Sequence, residues 1–570
     1  MSTPPPPSQP PSGGFGAPQD PPPGGFGAPP PVPPAPPAPP QQPPTQPAYG
    51  YPQTAPGYGY PQQPGTPPPF GPPTTPMQAP PPPAAGGNND KRNQLMIVGA
   101  ALLAIVLIVG GGLWYVSGDG GSGNKRDTSA DGAPGAGPGG DKPQGVPGSE
   151  KAPANPKSKV LFNQPSPQPA EVVGVMGSWL TDSTYVKTDV AKVVGYNLVD
   201  GGKKWELPFP GELCGATRHV SGGKTAVLFK PALPTAENKY PRCSEVGVID
   251  LETGKLAWSG NAKSANGGDR PVDYYEVTLS GQTVAAAGVS GGGAAWNLAD
   301  GKALWTPKVD GEGCRDTGYA GGEALAVIRK CGQSPNYTLY AQVLDPATGA
   351  PTASYKLSPG IDYAGIVSTK PLIVAADVGK TAKNATGVSD LFVVDPKGEL
   401  KTRISLASGN FAGKCAATEV EKCSGMLVGN GKLYLPSYEH QGADSGGGRT
   451  NELLSFDLET GKQTTDRADA GERYTIFPLR MDGSNIIAYK EPPYDKGGQI
   501  VSIDGKTMKE TLLMENPADK ATQRVETAFS PEYSEYRYHN GKLFISRTNV
   551  RKPSSDRGDP EYLFVSFTAS

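Results

Sequence analysis

Between residues 161 and 570, hydrophobic positions come in short runs of period two, broken by dense turn signals. That is the pattern of half-buried strands, and no stretch sustains the 3.6 period of an amphipathic helix. The clearest unit is Val246-Gly-Val-Ile-Asp250-Leu-Glu-Thr-Gly254-Lys-Leu-Ala-Trp258. It predicts a strand, a tight turn and a second strand. The Asp250 carboxylate can accept backbone N–H groups two residues on, Gly254 supplies the left-handed backbone that the turn needs, and Trp258 gives the second strand a large apolar group to dock.

The unit recurs. It is found upstream at Asn197 to Trp205 and downstream at Asn297 to Trp305, and looser copies without tryptophan are centred on Asp345, Asp395, Asp457 and Asp504. Successive Asn/Asp markers lie 53, 47, 48, 50, 62 and 47 residues apart. A period of ~40–50 residues with four strands per repeat predicts the blades of a β-propeller. The seven markers are followed by an eighth unit, Tyr536 to Ser546 and Tyr562 to Phe567, which lacks a fourth strand. Glu171-Val-Val-Gly-Val-Met176 could supply that strand and close the ring. The expectation is therefore an all-β, eight-bladed propeller, with seven blades as the alternative.

On Asp250-Leu-Glu-Thr-Gly-Lys-Leu-Ala-Trp258 and Asp457-Leu-Glu-Thr-Gly-Lys462, the repeats resemble those of the pyrroloquinoline-quinone-type (PQQ-like) propellers over about residues 170–570. The resemblance implies the fold. For function it implies either a scaffold, like the propeller subunit of the outer-membrane assembly machinery, or a quinone-dependent dehydrogenase.

Composition divides the rest of the chain. Residues 1–94 form a Pro/Gly-rich tail; its first 90 residues hold 36 of the 66 prolines and almost no charge, too little apolar surface to offset the entropy of ordering. In style it resembles the tails of many actinobacterial membrane proteins. Residues 95–116, Leu95 to Val116, carry no charge, and ~20 such residues span a bilayer core. Residues 117–165 read as a flexible Gly/Pro-rich linker, and 166–570 as the propeller. Lys91 and Arg92 abut the apolar run, which favours an N-terminus inside. All six cysteines fall after residue 200, which suits disulfides outside. The expected protein is single-pass in the cell membrane, with a cytoplasmic tail and an extracytoplasmic propeller. A net charge of −2 argues against nucleic acid as a partner.

Catalytic chemistry is sparse. His219, His440 and His539 fall in different repeats without metal-ligand spacing. The resembling dehydrogenases carry adjacent cysteines beneath their cofactor, and no Cys-Cys pair occurs here. No enzyme activity, metal or cofactor is expected. What remains are the loops leading into the innermost strands: Arg270 with Asp273, Tyr274 and Tyr275; Arg315 with Asp316; Asp362 with Tyr363; and Arg473 with Tyr474. In the propeller they would line one mouth of the channel, either as a ligand or peptide site or as ordinary capping of strand ends. Cys314 opens an innermost strand and Cys331 ends the second strand beside it, which predicts their bridge; the loop from Pro231 to Arg242 is long enough to return Cys243 beside Cys214, and Cys415 and Cys423 bracket a short insertion whose bridge would close a small lobe, all three on that same face. The functional expectation is a non-catalytic scaffold that binds a protein or peptide of the cell envelope. The alternatives are the dehydrogenase and an envelope sensor whose tail docks a cytoplasmic partner.

Overall fold

The repeated turn is built as its residues require. In the computed structural model, which describes residues 148–570 apart from 289, 384–386, 408, 443–447 and 553–559, the Asp250 carboxylate accepts from the backbone N–H groups of Glu252 and Thr253 and from the Thr253 hydroxyl, at 3.1, 2.8 and 2.8 Å. Gly254 sits at φ 67° and donates to the Asp250 carbonyl at 2.9 Å. Asp345, Asp457 and Asp504 repeat the carboxylate pattern. At Asp504 the left-handed residue is Met508, φ 56°, in place of a glycine.

These turns join the third and fourth strands of four-stranded antiparallel sheets, of which there are eight among the described residues. The result is an eight-bladed, all-β propeller. The innermost strands, blades 1 to 8 in order, are Ser178–Leu180, Leu213–Ala216, Glu276–Ser280, Arg315–Ala320, Ala364–Thr369, Leu427–Gly429, Thr475–Asp482 and Ser534–His539. All start at one face, called here the mouth face, and end at the other. The middle strands are packed by neighbouring blades on both sides, so they lose the period-2 pattern: Thr283–Gly288 is buried throughout.

The ring closes with an N-terminal strand, but not the expected one. Lys159–Pro165 is the outermost strand of blade 8 and pairs antiparallel with Tyr562–Thr568. Phe162 gives it an apolar anchor, packing on Phe544 and Phe564 with ring centroids 5.7 and 5.8 Å away. Of the expected segment, only Val173–Gly174 pairs, with Asn549–Val550, in a separate two-stranded sheet. The blade 8 to blade 1 seam also holds a buried Lys187–Glu535 ion pair at 3.0 Å.

The propeller therefore begins earlier than residue 166, and the end of the expected linker belongs to it. Glu150 is buried; its carboxylate takes the Arg480 guanidinium at 2.5 Å, His539 Nδ1 at 3.0 Å and the Asn540 N–H at 3.0 Å. Lys159 pairs with Thr568 at the far end of its sheet, so the chain enters from the face opposite the mouth. The tail, residues 95–116 and the linker up to residue 147 lie outside the described residues. Among the described residues no helix is long and apolar enough to cross a membrane. A short helix, Lys520–Glu526, is capped by Asp519, which accepts from Thr522 N–H. At seven residues it is too short to declare a 3.6 period.

Candidate binding face

The three disulfides are Cys214–Cys243, Cys314–Cys331 and Cys415–Cys423, the expected pairs. All lie at the mouth face. The third closes more than a small lobe. Its loop, between blades 5 and 6, reaches across the channel. The Val420 carbonyl accepts from Ile366 N–H of blade 5 at 2.7 Å. The Glu421 carboxylate accepts from the Thr278 hydroxyl of blade 3 at 2.7 Å and from Gly321 N–H beside blade 4 at 3.3 Å, bonds His219 Nε2, and lies 3.6 Å from Arg218, both in the loop after the innermost strand of blade 2. Glu421 N–H donates to Glu276 Oε2 at 3.3 Å. Lys414, at the stem, pairs with Glu532 ahead of blade 8 at 2.8 Å. The loop thus plugs the channel. It lies so close to the inner strands that a Cβ on Gly365 would sit 2.8 Å from Cys423 Sγ, and one on Gly318 would overlap Glu276 and Val420.

The plug carboxylate Glu421 and the Glu276 carboxylate of blade 3 beside it are pushed in opposite directions. Burial alone would raise the Glu421 carboxyl, but His219, Arg218 and the Thr278 hydroxyl outweigh it and hold it at about 2. Burial, reinforced by the Glu421 charge, pushes Glu276 well above the usual carboxylate range, and its Oε1 is buried without a partner among the described residues. Neither acid stands out in the sequence, and the spacing of His219 gives no sign of its partner. His219 is 9% exposed and held by Glu421. His440 and His539 likewise face carboxylates, Glu452 at 2.7 Å and Glu150 at 3.0 Å.

The expected mouth residues divide in two. Tyr274 and Tyr474 do not line the mouth. Tyr274 is 2% exposed, with its ring 6.2 Å from that of Trp296, and Tyr474 is buried, its hydroxyl donating to the Gly497 carbonyl at 3.1 Å. Period-2 alternation is the reason: with Tyr274 turned inward, Tyr275 turns outward. Asp273 caps Cys243 N–H at 3.0 Å, and Asp316 holds Arg329 at 2.8 Å and the Tyr319 hydroxyl at 2.7 Å. These are strand-end contacts. Arg270 and Tyr275 are exposed. Arg315 lies 5.9 Å from the Tyr337 ring centroid. Asp362 and Tyr363 line a cavity of about 180 Å³ with Lys380 and Cys415, and Arg473 pairs with Asp495 at 2.8 Å.

A broader feature comes from exposure. Among the described residues the strongly exposed tyrosines are Tyr240, Tyr275, Tyr363, Tyr494 and Tyr533. Every one stands in a loop that enters an innermost strand or leaves a second strand, so all five are on the mouth face. The described residues lack the adjacent-cysteine pair that the resembling dehydrogenases carry beneath their cofactor. No two cysteines are adjacent, since the disulfides span 29, 17 and 8 positions. Among the described residues no group of three or more His, Cys, Asp and Glu is placed to hold a metal ion.

Fold and face together define an eight-bladed propeller, stapled by disulfides at a tyrosine-rich mouth and plugged by its own loop. Its repeats are PQQ-like: residues 242–510 match the family model described as outer membrane protein assembly factor BamB. No curated protein matches the chain. Solved structures similar to it include BamB from Moraxella catarrhalis, 12% identical, with a TM-score of 0.36 over 72% of this chain and 100% of that one. The quinohemoprotein alcohol dehydrogenase from Comamonas testosteroni is 12% identical, with a TM-score of 0.41 over 74% and 78%. The computationally designed Ika8 protein is 11% identical, with a TM-score of 0.41 over 72% and 100%. At these values none of the three bears on activity.

Proposed function

We propose that this protein is a non-catalytic binding and scaffold module of the cell envelope, which takes a protein or peptide partner on its mouth face. The observation that carries the reading is the placement, among the described residues, of all five strongly exposed tyrosines on that face, around a channel closed by the chain's own loop. Tyrosine combines a large apolar surface with a polar tip, and it is enriched at interfaces. In this reading residues 95–116 anchor the chain in the membrane, the tail is cytoplasmic and the propeller lies outside, where three disulfides persist.

The test is cross-linking of the full chain to envelope components, with Tyr240→Ser/Tyr275→Ser as the comparison. Capture of a defined partner that the double variant loses is the expected result; equal capture by both overturns the mouth-face assignment. A stoichiometric absorbing complex formed on adding pyrroloquinoline quinone and calcium would overturn the non-catalytic reading. Replacing Ile105 with Arg should impair membrane insertion by ~2.5–3.5 kcal/mol on the translocon scale. Extraction of the unaltered chain without detergent would overturn the anchor.

A further inference from the structure

One part of the mouth face is a built cleft. Two adjoining cavities, of about 320 Å³ and about 240 Å³, share Glu439, Arg449, Thr475 and Glu491. The first lies in the size range of ligand sites, ~300–1,000 Å³. Pro492, Pro493 and Tyr494 wall one cavity and Phe477 the other, giving apolar sides to a charged floor.

The charges on this floor are matched, except one. Arg449 pairs with Glu439 at 2.8 Å, Arg473 with Asp495 at 2.8 Å and Lys414 with Glu532 at 2.8 Å. Outside the cavity lining, Glu452 is held by His440 at 2.7 Å and Arg467 at 2.9 Å. Behind the cleft, Glu526 accepts from Tyr489, Gly498 and Asn516 at 2.9, 3.0 and 2.6 Å. Glu491, the last residue of the second strand of blade 7, Asn485–Glu491, lines both cavities, and its carboxylate has no hydrogen bond or ion pair among the described residues. A half-buried carboxylate without a partner costs stability, and a cation brought by a ligand would remove that cost.

We propose that this cleft receives a basic side chain, lysine or arginine, from a peptide segment of the partner, with Glu491 as its counter-ion and the proline and aromatic walls packing its aliphatic stem. The proposal rests on the binding-module reading and names the chemistry of the partner. Burial first, then the Glu439 and Glu526 charges, push Glu491 to about 7. The site therefore gains its charge as pH rises through neutrality, and a basic ligand binds more tightly at pH 8 than at pH 6 by about tenfold.

The experiment uses the full chain in detergent and three fluorescein-labelled capped peptides, Ac-Ala-Ala-Xaa-Ala-Ala-NH2 with Xaa lysine, arginine or norleucine, read by anisotropy at pH 6 and pH 8. The expected result is binding of the lysine or arginine peptide at least tenfold tighter than norleucine, strengthening with pH. Glu491→Gln, which conserves volume, should lose both the preference and the pH dependence. Tyr494→Ala, at an 83% exposed position where the fold is not at risk, should weaken binding of both basic peptides. Equal binding of norleucine, or a Glu491→Gln variant indistinguishable from the parent, overturns the site. If the chain still captures its envelope partner through the tyrosines, only the cleft falls; if wild type binds neither partner nor peptide, both readings fall.

Discussion

Trp205 of blade 1 lies against Gly254 in the turn of blade 2, so closely that any Cβ at Gly254 would overlap the indole. The relationship is handed on around the ring. Trp258 meets Gly301, where a Cβ would come within 2.7 Å, and Trp305 meets Gly349, within 2.9 Å. Each aromatic at the outer edge of one blade seals the turn of the next. The seal changes where tryptophan runs out: Gly398 faces the Ser354 backbone and Gly461 faces Thr402 and Arg403, and at blade 7 Met508 replaces the glycine.

Gly254→Val should therefore destabilise the propeller far more than Lys255→Val. Valine at positive φ is strained by ~1–3 kcal/mol, and displacing Trp205 adds ~1–3 kcal/mol of overpacking. Lys255 is exposed, so its replacement should stay within ~0.5 kcal/mol. Denaturant melts of the two variants check this; equal midpoints would show that the Trp205 contact carries no weight.

The same device closes the ring, with Phe162 of blade 8 against Gly201 of blade 1. Phe162→Ala should lower stability by ~2–4 kcal/mol, and a chain beginning at residue 166 should lose the fourth strand of blade 8 and fail to fold cooperatively. Calorimetry of both forms decides the matter. An unchanged transition in the truncated chain would return the closing role to residues 171–176.

What the sequence discloses and what it hides follow from the range of the contacts. Asp250, Thr253 and Gly254 interact within four residues, so their turn is legible from the chain alone. Cys314–Cys331 is legible because neighbouring strands in one blade fix its register. Phe162 bonds to Ser566, with its N–H 3.1 Å from Ser566 Oγ, across nearly the whole propeller, and no local pattern points there. Glu150 hides in a Gly/Pro-rich stretch that reads as linker. Glu421 sits in Ala416-Ala-Thr-Glu-Val-Glu-Lys422, which resembles a solvated loop. Its one signal is the lone apolar Val420 between two cysteines eight positions apart. Which loops stand at the mouth follows from strand order, but which of two adjacent tyrosines faces solvent depends on strand phase, and Tyr274 and Tyr474 turn inward.

Cys415→Ser/Cys423→Ser should release the plug while leaving the blades assembled. The closed loop is short, and chain entropy gives its bridge ~2–3 kcal/mol. The double variant should melt earlier by that amount, and hydrogen exchange should rise at residues 416–422 and in the Ala364–Thr369 strand that the loop covers. Protection of the loop equal to that of the parent would show that Glu421 alone holds it in place.

Glu421 of the plug and Glu276 of blade 3 beside it should respond to pH with opposite signs. Glu421 has a folded pKa of about 2 against an ordinary 4.5. Its contribution, on the order of 3 kcal/mol, is present above pH ~4.5 and is lost as pH falls toward 2. Glu276 is raised well above 4.5, so folding favours its protonated form. Its contribution is greatest below pH ~4.5 and declines as pH climbs toward the folded value. Glu421→Gln should therefore destabilise at pH 7 and do little near pH 2, because the parent has by then lost the same charge. Glu276→Gln keeps the shape and removes the cost of a buried charge, so it should stabilise at pH 7 and gain nothing at pH 4. Thermal melts of the three proteins from pH 2 to pH 8 give the answer, and two variants that shift stability in the same direction at pH 7 would overturn the opposed roles of the pair.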